Sequence, residues 1–392
     1  MLSSYELRCV NCGSSYEPDP WLMKCRCGGL LEPKLKEAPE ISWEKFRERK
    51  FGVWRYMELL PKVRSPVTLG EGGTPLIELN KNLHIKFEGA NPTGSFKDRG
   101  MSVAVSLARE IGVSRVVCAS TGNTAASMSA YAARAGLKSF VVLPRGKVAK
   151  GKLFQAVLHG AKIIEIESSF DDALEAVIEI SGRSKELYPL NSFNPWRIEG
   201  QKTIAYEIAD EIGVPDWVIV PVGNAGNISA IWKGFRELRE LGLIDKLPRL
   251  VGVQAEGASP IVRTFREGRN EPSFIDEPET IATAIRIGRP VNWQKAIASL
   301  RESKGLAIEV SDQEILEAQR ELGRMGLGVE PASASPYAAY LKLRGNEVGD
   351  DDTTVLIATG HALKDPEALP IPEPIVVKSV EEAVRVMGEV TR

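Results

Sequence analysis

The chain has 392 residues, 43% apolar and 26% charged, which suits a water-soluble protein of about two or three domains with a large core. Lys plus Arg number 50 against 52 Asp plus Glu, and the resulting net charge of −2 lacks the basic field that recruits nucleic acid or an anionic membrane. The three histidines, His84, His159 and His361, provide poorly for a Ser-His-Asp triad or a multi-histidine metal centre.

In chain order, the start Met-Leu-Ser-Ser-Tyr-Glu-Leu-Arg-Cys lacks the basic-then-apolar order of a secretory signal, so a cytoplasmic protein is expected. Four of the five cysteines then fall in the first 27 residues, as Cys9-x-x-Cys12 and Cys25-x-Cys27 followed by Gly28-Gly29. Two close pairs on tight turns resemble a knuckle-type zinc ribbon, since tetrahedral zinc takes four thiolates. The second pair has one spacer residue where two are usual, and a ribbon that folds without metal is the alternative. Disulfides suit a reducing compartment less well. Four thiolates would leave zinc no open position for catalysis. The segment Lys36–Lys50 is charged and periodic and reads as an early helix.

Phe87 closes an apolar run and is followed by Glu88-Gly89-Ala90-Asn91-Pro92-Thr93-Gly94-Ser95-Phe96-Lys97-Asp98-Arg99-Gly100. A Pro/Gly turn thus leads to one lysine at the start of a helical segment. The positive end of the helix dipole disfavours a cation there, which lowers the amine pKa and helps the free amine attack an aldehyde. Taken alone, an exposed lysine near a helix start is the commoner arrangement.

Beyond Arg99, β-branched runs alternate with amphipathic stretches. Strands are expected at Arg115–Ala119, Phe140–Leu143, Lys162–Ile166, Trp217–Val222, Leu250–Gln254, Ala307–Val310 and Thr353–Ala358, and helices at Phe170–Ile180, Gly200–Ile212 and Gln313–Met325. This β-α-β-α order argues for parallel sheets with right-handed crossovers, in two α/β domains sharing a cleft. Cys118, in the apolar run Arg-Val-Val-Cys-Ala-Ser, reads as a small buried hydrophobe. The longest uncharged stretch, Val116 to Ala133, holds Ser120, Thr121, Asn123, Thr124, Ser127 and Ser129, polar groups that suit a loop entering a helix better than hydrocarbon.

Two of the strands pass into helices through Gly and Asn. Ser120-Thr121-Gly122-Asn123-Thr124 opens Ala125–Ala135, and Gly223-Asn224-Ala225-Gly226-Asn227 opens Ile228–Leu241. At such points backbone N–H groups bind phosphate or carboxylate. The second loop is neither the dinucleotide pattern G-x-G-x-x-G nor a Walker loop. Either loop alone would pass for an ordinary tight turn. The last strand ends in Thr359-Gly360-His361-Ala362-Leu363-Lys364, where open α/β sheets hold ligands.

Together, N-P-T-G-S-F-K-D-R-G, S-T-G-N-T-A-A-S, N-P-W-R-I-E-G-Q-K-T, P-V-G-N-A-G-N-I-S-A and A-T-G-H-A-L-K-D-P resemble, in order from about residue 70 to 366, the motifs of the threonine synthase family. These are pyridoxal-phosphate lyases of fold type II, tryptophan synthase β-like. The resemblance implies two α/β domains with mostly parallel open sheets: a larger cofactor-binding domain from 41–90 and 192–392, a smaller one from 91–191 inserted in it, and a Cys-rich, zinc-ribbon-like segment over 1–40. It implies that Lys97 forms the Schiff base with pyridoxal 5'-phosphate, that Asn123 bonds the phenolic oxygen, that Gly223, Asn224, Ala225, Gly226 and Asn227 hold the cofactor phosphate, and that Thr359 meets the pyridine nitrogen. A hydroxyl at that nitrogen leaves the ring largely neutral, which favours elimination and replacement over transamination.

The implied substrate is O-phospho-L-homoserine, converted with water to L-threonine and phosphate. Ser120, Thr121 and Thr124 would grip its carboxylate, and Asn191 and Arg197 its phosphate; Cys9, Cys12, Cys25 and Cys27 would hold zinc in a cytoplasmic homodimer. The family reads T-G-H-G-L-K where this chain has Ala362. Threonine dehydratase, cysteine synthase and cysteate synthase share the lysine motif, and cysteate synthase, using phosphoserine and sulfite, is the nearest rival. A zinc-ribbon interaction module on an inactive scaffold is a reading of another class, against which Lys97 and both Gly/Asn loops argue.

Overall fold

A computed structural model describes residues 2–120, 122–145, 150–167, 170–183, 185–368 and 373–390. The cysteine module is a three-stranded antiparallel sheet with β1 (Tyr5–Cys9) between β2 (Ser15–Tyr16) and β3 (Leu31–Leu35). Tyr5, Leu7 and Cys9 alternate inward on β1, giving the sheet one buried face. The expected helix over Lys36–Lys50 is corrected: only α1 (Trp43–Arg47) is helical. Pro39 disfavours helix in the residues before it, and Ser42 Oγ caps the later start by accepting from the Lys45 amide at 3.2 Å.

The hairpin β4 (Leu76–Asn80) and β5 (Leu83–Phe87) leads into α2 (Lys97–Glu110). A four-stranded, all-parallel sheet follows, ordered β8-β7-β6-β9, from β6 (Arg115–Ala119), β7 (Lys138–Pro144), β8 (Lys162–Ile166) and β9 (Leu187–Pro189). Its crossovers carry α3 (Asn123–Ala135), α4 (Lys150–Leu158) and α5 (Phe170–Arg183). Then come α6 (Pro195–Gln201) and α7 (Thr203–Ile212), where one helix over Gly200–Ile212 was expected. Gly200 is where α6 crosses α2, and a Cβ there would stand 2.0 Å from the Arg99 carbonyl oxygen.

The remaining strands, β10 (Trp217–Pro221), β11 (Arg249–Ala255), β12 (Leu306–Val310) and β13 (Thr354–Ala358), join the hairpin in a six-stranded sheet ordered β12-β11-β10-β13-β5-β4, antiparallel only at β4–β5. Its helices are α8 (Gly226–Glu240), α9 (Pro260–Arg266), α10 (Trp293–Glu302), α11 (Asp312–Arg324) and α12 (Pro331–Leu343); α13 (Val380–Val390) ends the described chain. Both faces are covered. Val218 and Val220 pack with α7, α8 and α10, while Trp217 and Ile219 pack with α11 and α12. Each expected strand is present, β6 and β8 at the expected bounds and the others within two residues of them, and the mixed α/β class with two largely parallel sheets is as expected. No helix among the described residues is long and apolar enough to cross a membrane.

A buried ion cluster anchors α2 behind its first turn. Arg99 donates to Glu88 and Glu207 at 2.6–2.7 Å, and Lys86 pairs with Glu207 at 3.0 Å. Burial alone would raise the Glu207 pKa, but the charges of Arg99 and Lys86 hold it down at about 2. The stability this carboxylate contributes is therefore present above the ordinary carboxylate range and lost as pH falls toward about 2. Glu207→Gln is expected to lower stability by about 3–5 kcal/mol, because two buried cations lose a charged partner. Urea denaturation reads this as a lower midpoint at unchanged slope, and a loss under about 1 kcal/mol would show that Glu88 compensates.

Candidate active site

Four chain reversals meet between the two sheets. β5 passes through a short turn at Glu88–Ala90 and the loop to Phe96 before α2 begins at Lys97. This loop is tied to the end of β13, since the Phe96 amide donates to Thr359 O at 3.0 Å and the His361 amide to Gly94 O at 2.9 Å. Lys97 is half-buried, with its Nζ 4.0 Å above the Phe96 ring. Burial lowers its ammonium pKa, the nearby Arg197 charge lowers it further, and Glu330 opposes, leaving it at about 7. Asp98 holds the turn by accepting from the Thr93 amide and hydroxyl and from Ser127 Oγ at 2.6–2.7 Å.

The loop from β6 to α3 brings half-buried Ser120, Asn123 and Thr124 to the same level; Thr121 lies outside the described residues. The Gly122 backbone amide donates to Ser120 Oγ at 3.2 Å, and Asn123 Nδ2 donates to both carboxylate oxygens of Glu330 at 3.1 Å. The loop from β10 to α8 turns through Ala225 at a left-handed φ of 61°. Asn292 pins it by donating its backbone amide and Nδ2 to Asn224 O at 3.1 and 3.2 Å. Gly226 packs near Ile198 and Gln201 of α6, and Gln201 also abuts Gly100 of α2, so this loop sits beside the start of the lysine helix. The Asn227 side chain is buried with neither its oxygen nor its nitrogen partnered.

Thr359, buried at the end of β13, shares a 2.9 Å hydrogen bond with Ser333, whose Oγ accepts from the Gly360 amide at 2.7 Å. Gly360 leaves room for Glu330, because a Cβ there would lie 2.4 Å from a Glu330 carboxylate oxygen. Burial pushes the Glu330 carboxyl up to about 7 against the Asn123 bonds that lower it. Sequence reasoning missed Glu330 and Ser333. Their signal was an acidic residue ahead of a proline-initiated helix of small residues, Glu330-Pro331-Ala332-Ser333-Ala334-Ser335.

Arg197 of α6 is 2% exposed, and its Nε and Nη2 have no hydrogen-bond partner. Burial drops its pKa to about 10. Asn191 faces the strand instead: its Oδ1 accepts from the Ala119 amide at 2.9 Å and its Nδ2 donates to Ala119 O at 2.8 Å, holding the root of the Ser120 loop. Ala362 is accommodated where its amide donates to Gly328 O at 3.0 Å.

Away from this cleft, the sulfurs of Cys9, Cys12, Cys25 and Cys27 lie within 4.8 Å of one another, with Cys9–Cys27 at 3.5 Å and Cys12–Cys25 at 3.6 Å. A tetrahedral zinc with bonds of about 2.3 Å sets sulfurs about 3.8 Å apart, so the donor set and spacing fit zinc despite the shortened second pair. Cys118 is fully buried, as expected of a small core side chain.

The family described as pyridoxal-phosphate dependent enzymes matches residues 67–360. The chain is 52% identical to the threonine synthase of Methanocaldococcus jannaschii over 97% of this chain and 96% of that one. It is 49% identical to that of Methanosarcina acetivorans over 97% and 98%. Among solved structures, threonine synthase from Escherichia coli shares the fold at a TM-score of 0.76 and 19% identity, covering 94% of this chain and 93% of that one.

Proposed function

Since the chain belongs to the pyridoxal-phosphate-dependent enzymes and, among them, to the threonine synthases, we propose that it converts O-phospho-L-homoserine and water to L-threonine and phosphate. The observation that carries the reading is the buried, half-unpartnered guanidinium of Arg197, close enough to Lys97 to depress its amine. A buried donor without a partner costs about 1–3 kcal/mol, and more when charged, unless a ligand meets it. A phosphate dianion does so with the fork geometry that arginine provides.

The residues present fit pyridoxal phosphate. Asn227 and Ser95 hold buried polar atoms without partners, Ala225 turns a loop of backbone N–H groups at a helix start, and Lys97 supplies an amine poised near neutrality. When bound, the cofactor supplies the electron sink that acidifies the substrate's α-hydrogen. Lys97 would hold it covalently, Gly223, Asn224, Ala225, Gly226 and Asn227 would cradle its phosphate, and Asn123 its phenolic oxygen. Ser333 Oγ already accepts from Gly360, so its proton can go to Thr359 and free the Thr359 hydroxyl to donate to the ring nitrogen.

With the cofactor and substrate bound, Lys97 Nζ would take the α-proton and move protons at Cβ and Cγ, and water would add at Cβ. Ser120, Thr121 and Thr124 hold the substrate carboxylate. Arg197 would hold the substrate phosphate, and Asn191, with one amide hydrogen beyond the bond to Ala119, would assist. Glu330 keeps Asn123 oriented. Cys9, Cys12, Cys25 and Cys27 are assigned a structural zinc.

We divide the chain into 1–40, 41–90 with 192–392, and 91–191, a division supported by the four-stranded sheet falling wholly within the last of these. A cytoplasmic homodimer completes the reading; unbridged thiols suit a reducing compartment. Steady-state assay of purified holoenzyme decides the substrate. Threonine and phosphate are expected in equal amounts from phosphohomoserine, whereas phosphate release only from phosphoserine plus sulfite would assign the chain to cysteate synthesis.

A further inference from the structure

Trp196 and Arg197 are consecutive on α6 but serve different neighbours. Trp196 is fully buried in the apolar cluster of the cysteine module, with Tyr5, Leu7, Cys9, Cys25 and Leu31. Its ring meets Tyr5 edge-on, centroids 5.8 Å apart at 86°. The indole N–H has no hydrogen-bond partner, so shape alone seats the ring.

A second tie lies one turn along. Glu199 accepts from Lys202 at 2.6 Å and from Lys233, which also donates to the carbonyl of Pro33 on β3. Lys202 in turn stands 6.0 Å above the Tyr5 ring and donates to Glu237 at 2.8 Å. On its other side α6 has no slack. A Cβ at Gly200 would lie 2.0 Å from Arg99 O, and one at Gly100 would lie 2.7 Å from Arg197 O. Backbone thus touches backbone between α6 and the lysine helix, and α6 is backed from the other side by the module together with Lys233 and Glu237 of α8.

We propose that the N-terminal cysteine module is the positioning platform for Arg197, acting through the Tyr5–Trp196 contact, and so sets the enzyme's affinity for the phosphate of its substrate. This rests on the reading of Arg197 as the phosphate anchor. Tyr5 touches no reacting atom; it is a positioning residue. A displacement of about 1 Å at a positioned group costs about a hundredfold, so the effect is large enough to measure.

The test compares parent, Tyr5→Ala, Tyr5→Phe and Trp196→Phe holoenzymes for kcat, KM for phosphohomoserine, inhibition by inorganic phosphate, and bound cofactor. Tyr5→Ala is expected to raise KM and the phosphate inhibition constant together by about tenfold to a hundredfold, with kcat within about threefold and cofactor content unchanged. Tyr5→Phe keeps the ring and should restore both constants, whatever its stability. Trp196→Phe should shift both in the same direction as Tyr5→Ala, and decides the matter if Tyr5→Ala does not fold. A fall in kcat at constant KM, loss of cofactor, or no shift overturns the inference. A parent that does not turn over phosphohomoserine overturns the functional reading itself.

Discussion

Lys97→Ala should give a folded protein whose turnover has collapsed by about 10²–10⁴-fold or more, the range that proton transfer by a positioned side chain supplies. The lysine opens α2 and is half-buried, and the packing of that helix rests on Arg99, Met101, Ala104 and Val105 rather than on the amine. Alanine is the strongest helix former, so thermal unfolding should be nearly unchanged. Borohydride reduction of the parent should fix the cofactor to a peptide containing Lys97, and the variant should yield no such adduct.

The pH dependence of cofactor capture by the apoprotein has a definite sign. Burial and the Arg197 charge bring the amine to about 7, so half of it is free at neutrality, where an ordinary lysine has less than about one part in 10³ free. The capture rate should climb about tenfold per unit below pH 7 and level off above it. Activity of Lys97→Ala within about tenfold of the parent would remove this lysine from the chemistry.

The sheets were legible because their strands are local: a run such as Trp217–Pro221, apolar on both faces, announces a covered parallel strand without reference to anything distant. The Gly/Asn loops and Lys97 were legible for the same reason, each being one continuous strand–turn–helix segment. What the sequence hid is pairing across long separations. Arg99 and Glu207 are 108 residues apart, and Asn123 and Glu330 are 207 apart, so no window contains both partners. Isolated in sequence, Glu330 looks like one more surface carboxylate. Only the close approach of Gly360 reveals it as buried. The expected early helix failed differently, since its charge periodicity was real but Pro39 and the Ser42 cap left it only Trp43–Arg47.

Arg197→Leu is expected to separate function from stability. Two unpartnered guanidinium nitrogens, each worth about 1.5–3 kcal/mol to a charged acceptor, would lose the substrate phosphate. Together that is about 3–6 kcal/mol, or about 10²–10⁴-fold in kcat/KM at 1.4 kcal/mol per tenfold. Inhibition by inorganic phosphate should vanish with it, while cofactor content stays at the parental level, because the loop Gly223–Asn227 does not depend on this side chain. Stability should hold or rise: the substitution removes a buried charge with no carboxylate bonded to it among the described residues, the reverse of Glu207→Gln, which takes one carboxylate away from two buried cations. Arg197→Lys keeps a charge but not the two-pronged geometry, and should recover only part of the lost kcat/KM. An Arg197→Leu enzyme that kept both its phosphate inhibition and its kcat/KM would place the phosphate elsewhere in the cleft; one that unfolded would show the guanidinium to be structural.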